Sequence, residues 1–177
     1  MNDLDLAKAS SPPGTAGEND ASEVNNRAPI RLWLRLLACT SMIEAELRRQ
    51  FRTEFDFTIP RFDVLAQLDR EPGGLVLGEL PKRLMISAGS LTPIIDRLVS
   101  DGFITRTPSN LDRRVQIVCL TIEGRKSFRR MARKHGTWLS SLLDGLSQDQ
   151  LDEMIKQLDT LKGVVKNATA NSGSRPG

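Results

Sequence analysis

Residues able to carry out catalysis are few in this sequence. The chain of 177 residues has one histidine, His135, and two cysteines, Cys39 and Cys119, whose separation does not fit a paired zinc-ligand motif. It also has no glycine-rich loop of the kind that holds phosphates. The sequence therefore indicates no metal, no cofactor and no catalytic centre, and an enzyme is the least favoured class of protein.

Small polar residues stand at the start of one predicted helix, with Ser87 as its N-cap. Small side chains at this position allow a helix to lie in the major groove of DNA, where bulky side chains would hold it away from the base edges. Hydroxyl groups there can bind bases or phosphates. The predicted DNA-binding residues of this helix are Ser87, Ala88, Gly89, Ser90, Thr92, Pro93 and Arg97.

Two adjacent arginines, Arg113 and Arg114, lie in the loop of a predicted β-hairpin that follows this helix. An arginine inserted into the minor groove of DNA senses its negative potential and its width. Asp112 is predicted to orient one of the two guanidinium groups through a charge-assisted hydrogen bond. The alternative is a solvated charge cluster on a surface hairpin. The position directly after a helix–turn–helix favours the DNA-binding interpretation.

A series of amphipathic segments must position these residues. Apolar residues at three- and four-residue steps predict a long helix from Pro29 to about Arg52 and a second helix that begins near Thr58. The helix–turn–helix follows within residues 77–100, and a left-handed glycine is predicted to end it at Gly102. Hairpin strands are predicted at 103–107 and 114–120, followed by helices at 122–143 and after the capping box Ser147-x-x-Gln150. The predicted fold is mostly α with a small β-hairpin wing.

This order of segments resembles the MarR family of winged helix–turn–helix regulators over residues 30–165. The resemblance implies a homodimer formed by residues 28–55 and 122–166, a DNA-binding region at 58–120, and a pseudo-palindromic double-stranded operator. It also implies a repressor or activator that responds to a small effector. The motifs that carry the resemblance are Phe62-x-x-Leu65-x-x-Leu68, Leu80-x-x-x-Leu84, Ser87-Ala88-Gly89-Ser90-Leu91-Thr92, Asp96-Arg97-Leu98, Gly102-Phe103-Ile104-x-Arg106, Asp112-Arg113-Arg114, Leu120-Thr121-x-x-Gly124 and Leu146-Ser147.

Aromatic residues in the first and fifth helices resemble those of regulators of aromatic-compound catabolism within the family. This resemblance makes Trp33, Arg35, Cys39, His135 and Trp138 candidate effector-binding residues, with Arg35 as the partner of a carboxylate. The effector that it implies is an aromatic acid or its coenzyme A thioester. The alternative is that the aromatic residues form the core of a dimer interface and that Arg35 is solvated.

Two positions depart from the family pattern. Pro93 removes one backbone hydrogen bond from the recognition helix and crowds the carbonyl of Gly89, so the start of the helix is expected to adjust rather than break. Cys39 invites comparison with the peroxide-sensing branch, which holds its thiolate with tyrosines, and this chain has no tyrosine. Cys39 and Cys119 are therefore predicted to be small, buried apolar residues.

Composition sets the boundaries of the ordered region. Residues 1–27 and 167–177 have almost no large apolar side chains and are predicted to be flexible tails around a body at 28–166. The net charge is +3, and the acidic N-terminal segment leaves the body more basic, which suits a polyanionic partner. With no secretory signal and no membrane-spanning apolar run, the predicted location is the cytoplasm.

The leading hypothesis is a ligand-responsive DNA-binding regulator, a repressor in the first instance. Two rivals remain open. One is a thiol-based redox sensor that acts through Cys39, which the missing tyrosines disfavour. The other is a winged helix used only for protein interaction, which has no need for adjacent arginines at the hairpin tip.

Overall fold

The computed structural model describes residues 17–172 and the side chains of residues 27–170. The chain divides into two compact units, Met1–Ala45 and Glu46–Gly177. Within the described residues six α-helices, one 3₁₀-helix and three short strands follow one another, which confirms the predicted fold class. They are α1 (Gly17–Phe55), α2 (Ile59–Asp69), β1 (Leu75–Val76), the 3₁₀-helix (Leu77–Glu79), α3 (Leu80–Leu84), α4 (Ala88–Ser100), β2 (Ile104–Pro108), β3 (Gln116–Leu120), α5 (Ile122–Leu142) and α6 (Gln148–Ser172).

The terminal helices extend beyond the predicted body, into the segments predicted to be tails. α1 begins at Gly17 and α6 continues to Ser172, so both helices enter the segments predicted to be tails, and the flexibility of residues 17–27 and 167–172 stays a prediction. A helix needs only local hydrogen bonds and residues that tolerate helical geometry, and it can continue outward from a packed segment without large apolar side chains. Residues 1–16 and 173–177 lie outside the described residues, and the prediction for them stays a prediction.

The three strands form one antiparallel sheet in the order β1-β3-β2. The predicted hairpin is β2 and β3, with Thr105 opposite Cys119 and Ile104 opposite Leu120. β1 adds a third strand on the other side of β3, which the sequence does not reveal because only Leu75 and Val76 take part. Within β3 the fully buried residue is Val118, and its neighbours are half-buried.

The core of the second unit lies between α2, α4, α5, the sheet and the last turns of α1. Phe51 of α1 is fully buried. The buried apolar residues of the two helices include Phe62, Leu65 and Leu68 of α2 and Leu91, Ile95 and Leu98 of α4. The ring of Phe51 contacts Phe62 at a centroid distance of 4.8 Å and meets Trp138 edge-on at 5.2 Å. These aromatic contacts fix α5 against α1 and α2. No helix within residues 17–172 is long and apolar enough to cross a membrane.

Candidate nucleic-acid interface

The turn between α3 and α4 sets the start of the candidate recognition helix. Met85 ends α3 in the left-handed conformation, with φ of 55°. Ser87 then caps α4, because its hydroxyl oxygen accepts a hydrogen bond from the backbone N–H of Ser90 at 3.1 Å. The two serine hydroxyl oxygens are 2.8 Å apart. The structure therefore has the predicted N-cap, and both hydroxyl oxygens lie at the exposed start of the helix.

α4 separates a buried face from an exposed one. Leu91, Ile95 and Leu98 are buried against the rest of the unit. The hydroxyl of Thr92 donates to the carbonyl of Ala88 at 3.2 Å. All seven residues predicted to bind DNA on this helix are exposed: Ser87, Ala88, Gly89, Ser90, Thr92, Pro93 and Arg97.

Pro93 does not break the helix, which runs from Ala88 to Ser100 without interruption. Proline has no N–H to donate to the carbonyl four residues earlier, which here belongs to Gly89. Gly89 is exposed, so water can satisfy that carbonyl. The helix start therefore accommodates the proline, as the sequence predicts.

The end of α4 directs the chain into the wing. Gly102 has φ of 76°, its N–H donates to the carbonyl of Val99 at 3.0 Å, and the N–H of Phe103 donates to the carbonyl of Leu98 at 3.0 Å. This pair of bonds is the Schellman arrangement, and the sequence predicts the glycine at this place. On β2, Arg106 lies 3.8 Å from Asp96 of α4, which links the wing to the recognition helix.

The tip of the wing is ordered by its own backbone. The carboxylate of Asp112 accepts a hydrogen bond from the backbone N–H of Arg114 at 2.9 Å, and the carbonyl of Asp112 accepts one from Val115 at 2.9 Å. The prediction that Asp112 orients a guanidinium group is wrong for this structure, because the carboxylate satisfies the nearer backbone donor two residues on. Arg113 and Arg114 are both exposed, and within the described residues neither forms an ion pair.

A cluster of ion pairs that the sequence does not predict holds the C-terminal end of α4. Arg97 donates to the carboxylate of Asp101 at 3.2 Å, and the same carboxylate binds Arg61 of α2. The guanidinium of Arg61 lies over the ring of Phe57, 4.0 Å from its centroid, and its side chain is only 12% exposed. Arg97 itself is 65% exposed. It therefore reaches the exposed face while it remains tied to Asp101.

A cavity of about 240 Å³ lies beside the recognition helix. Its walls come from the 3₁₀-helix, α3, α4 and β2, and they include the apolar side chains of Leu77 and Ile95. Thr92 and Arg106 supply its polar groups. A pocket of this kind, mostly apolar with a few polar groups, suits a small ligand.

The residues predicted to bind an effector are divided between the two units. Trp33, Arg35 and Cys39 are exposed on the part of α1 that belongs to the first unit, and Trp33 is 61% exposed. Trp138 is buried and His135 is half-buried in the second unit. The rings of Phe51 and Phe62 flank His135 at 5.8 Å and 5.2 Å, and burial lowers the pKa of His135. The five-residue pocket stays a prediction.

Both cysteines are free thiols. The prediction that Cys39 is buried is wrong, because it lies on a segment of α1 whose large apolar side chains are themselves mostly exposed. Cys119 is half-buried rather than buried, and its sulfur lies 3.7 Å from the carbonyl oxygen of Gly73.

Similarity to known proteins agrees with this geometry. Residues 57–115 match the model of the MarR family. The chain is 30% identical over 115 residues to the HTH-type transcriptional regulator YfiV of Bacillus subtilis, a match that covers 65% of this chain and 71% of YfiV. The chain belongs to the MarR family.

Two further relatives carry more specific names. The Transcriptional activatory protein BadR of Rhodopseudomonas palustris is 27% identical over 163 residues, which are 88% of this chain and 93% of BadR. A mutant of MarR from E. coli, crystallised in complex with operator DNA, aligns with a TM-score of 0.65 and 25% identity over 77% of this chain and 96% of that one. The relatives are transcriptional regulators, which confirms the prediction of a regulator rather than an enzyme.

Proposed function

We propose that this MarR-family regulator binds double-stranded DNA with α4 in the major groove and the β2–β3 wing in the adjacent minor groove. The observation that carries this proposal is that the exposed start of α4 is followed by the β2–β3 hairpin with two exposed arginines at its tip. Neither arginine forms an ion pair among the described residues. Base edges in the major groove are accessible to a helix whose exposed side chains are small, and the minor groove attracts guanidinium groups. The MarR mutant crystallised with operator DNA supports the proposal through its shared fold.

We propose further that the protein acts as a homodimer. On the first unit, α1 exposes large apolar side chains, among them Leu32, Trp33 and Leu37, and α6 does the same with Met154, Ile155 and Leu158. Apolar surfaces of this extent are covered in most proteins by a partner, and here a second copy is the proposed partner. A two-fold dimer places its recognition helices about one DNA turn apart, so the operator should be a pseudo-palindrome with half-sites about 10 base pairs apart. A monomer in light scattering at micromolar concentration would contradict this part of the proposal.

The wing provides the test of DNA binding. Arg114→Ala should weaken specific binding by about 1–3 kcal/mol per half-site, the scale of removing one side chain that reads a base. Arg113→Ala should weaken binding to any sequence, and the log–log salt slope should fall by about 0.9 for each phosphate that is no longer neutralised. Asp112→Ala should weaken binding less than Arg114→Ala, because it frees the backbone of the tip but deletes no cation.

The measurement is a salt titration of operator binding by fluorescence anisotropy, with a melting curve for each variant. Arg52→Ala is the matched control, since Arg52 is exposed at the end of α1 and lies outside the candidate interface. This control should bind the operator as the wild type does. Wild-type affinity in the Arg114 variant would mean that the hairpin is not a DNA-reading wing.

We propose that a small aromatic acid is the effector and that it releases the repressor from its operator. The cavity beside α4 supports this proposal, because Arg106 offers a guanidinium to a carboxylate between apolar walls, and Thr92 borders the same space. A ligand there contacts both the recognition helix and the wing. Repression itself stays a prediction, and the relative BadR is named as an activator.

A further inference from the structure

A groove with a volume of about 390 Å³ lies where β3 joins α5, outside the candidate DNA interface. Leu120 and Ile122 line one part of it, and the side chain of Ile122 is 92% exposed. The cationic residues Arg125, Lys126, Arg129 and Arg133 line the rest. The groove therefore combines an apolar end with a strongly positive wall.

The basic residues of α5 fall into two groups. Arg125 forms an ion pair with Asp69 at 2.8 Å, Lys134 pairs with Glu54 at 3.2 Å, and the guanidinium of Arg130 lies 5.1 Å from the centroid of the Phe55 ring. These three have protein partners. Lys126, Arg129 and Arg133 line the groove and form no ion pair with any residue in the described part of the chain.

The spacing of these three cations places them on one face of α5. They stand at steps of three and four residues, so they follow one another along about 10 Å of helix. Like charges this close repel each other, since the separation is near the Debye length of about 8 Å at physiological salt. A bound anion removes this repulsion and gains charge-assisted hydrogen bonds.

Among the described side chains of residues 27–170, no carboxylate pairs with these three cations. The hydroxyl of Thr121 caps α5 by accepting from the N–H of Gly124 at 2.9 Å, and it donates to the carbonyl of Gly102 at 2.7 Å. The carboxylate of Glu123 accepts from Ser127 at 3.2 Å. Within the described part of the chain, the three cations are therefore available to a ligand from solution.

We propose that this groove binds a small organic phosphate, with its phosphate groups on Lys126, Arg129 and Arg133 and its apolar part on Leu120 and Ile122. The volume is within the range of small-molecule pockets. A phosphodiester backbone would use the cations but has little to place on an exposed isoleucine. The five residues of β3 span about 17 Å, so the groove lies well away from the wing tip that carries the candidate minor-groove arginines.

Titration calorimetry with ADP, at fixed ionic strength and without DNA, tests the proposal. ADP has two phosphates and a flat, weakly polar base, and adenosine serves as the ligand without phosphates. The wild type should bind ADP and not adenosine. The pair Arg129→Gln/Arg133→Gln should weaken ADP binding at least about tenfold, the scale of removing one hydrogen bond to a charged group. Ile122→Ser should weaken the binding of ADP and leave that of inorganic pyrophosphate unchanged.

The matched control is the pair Lys162→Gln/Lys166→Gln, which removes two exposed charges at the same four-residue spacing from α6. This control should bind ADP as the wild type does, and melting curves should show all variants folded. The proposal is overturned if both double variants lose the same affinity for ADP, or if the wild type does not bind ADP at millimolar concentration. If Arg129→Gln/Arg133→Gln weakens the binding of a duplex DNA fragment but not that of ADP, the proposal is overturned, and these cations contact the DNA backbone instead. Because ADP binding is measured without DNA, failure here is distinct from failure of the wing experiment.

Discussion

Substitution of Gly124 by alanine should destabilise the protein, although alanine is the better helix former. Gly124 lies in the first turn of α5 and is buried against the base of the wing. A Cβ atom there would overlap the carbonyl oxygen of Phe103 and lie 2.8 Å from its carbonyl carbon. That carbonyl is held in place, since it accepts a hydrogen bond from the N–H of Thr121 at 3.0 Å. At 3.2 Å it also accepts the longer branch of the bond that the Thr121 hydroxyl donates to Gly102. Relief of the overlap must therefore move backbone and weaken both bonds.

The magnitude follows from three contributions. Overpacking costs about 1–3 kcal/mol. Weakening two hydrogen bonds adds about 1–2 kcal/mol. Replacing glycine by alanine in a helix stabilises the folded state by about 1 kcal/mol, which offsets part of this cost. The expected loss in the free energy of unfolding is about 1–4 kcal/mol, and each kcal/mol lowers the melting temperature by about 2–4 °C in a chain of this size.

Urea unfolding followed by circular dichroism measures this loss, and α5 provides its own control. Gly136 lies in the same helix, and a Cβ atom there meets nothing within 4 Å. Gly136→Ala should therefore stabilise the protein by about 0.5–1 kcal/mol, through helix propensity alone. If Gly124→Ala stabilises the protein as Gly136→Ala does, the close contact between α5 and Phe103 is refuted.

Two further predictions concern the histidine and the cysteines. Burial lowers the pKa of His135 below 6.5, so the unfolded chain binds this proton more readily than the folded chain does. Above that pH, His135 is neutral in both the folded and the unfolded chain, and its contribution to stability is complete. As the pH falls from that value toward the folded pKa, the unfolded chain takes up the proton and the free energy of unfolding should decrease. In melting curves from about pH 5 to about pH 8, His135→Leu should remove this decrease. Cys39→Ser/Cys119→Ser should bind the operator as the wild type does, with some loss of stability. Release of the wild type from DNA by peroxide, with the double variant unaffected, would instead support the redox alternative.

Features fixed by neighbours within a few residues were predictable from the sequence. The serine cap of α4, the left-handed Gly102 and the capping box before α6 all stand where the sequence predicts them. In that capping box the N–H of Ser147 donates to Gln150 at 2.9 Å and the N–H of Gln150 donates back to the Ser147 hydroxyl at 3.3 Å. Each depends on hydrogen bonds spanning at most five residues, so residue type and spacing carry the necessary information.

The role of Asp112 shows where such local reasoning stops. A carboxylate next to two arginines has both guanidinium and backbone donors within reach, and residue types alone do not rank them. The loop conformation places the N–H of Arg114 at 2.9 Å from the carboxylate, and this decides the partner. The tertiary structure therefore changes Asp112 from a residue that orients a side chain into one that shapes the tip.

Other features depend on residues far apart in the chain, and only the tertiary structure decides them. β1 pairs with β3 across the whole helix–turn–helix, and Asp101 of the α4 cap meets Arg61 of α2. The need for glycine at position 124 arises from the carbonyl of Phe103, which lies 21 residues earlier in the chain, directly before β2. The same holds for charge, since the sequence shows six basic residues in α5 but not which of them have partners. Packing against α1 and α2 gives partners to Arg125, Arg130 and Lys134, and it leaves the other three facing an open groove.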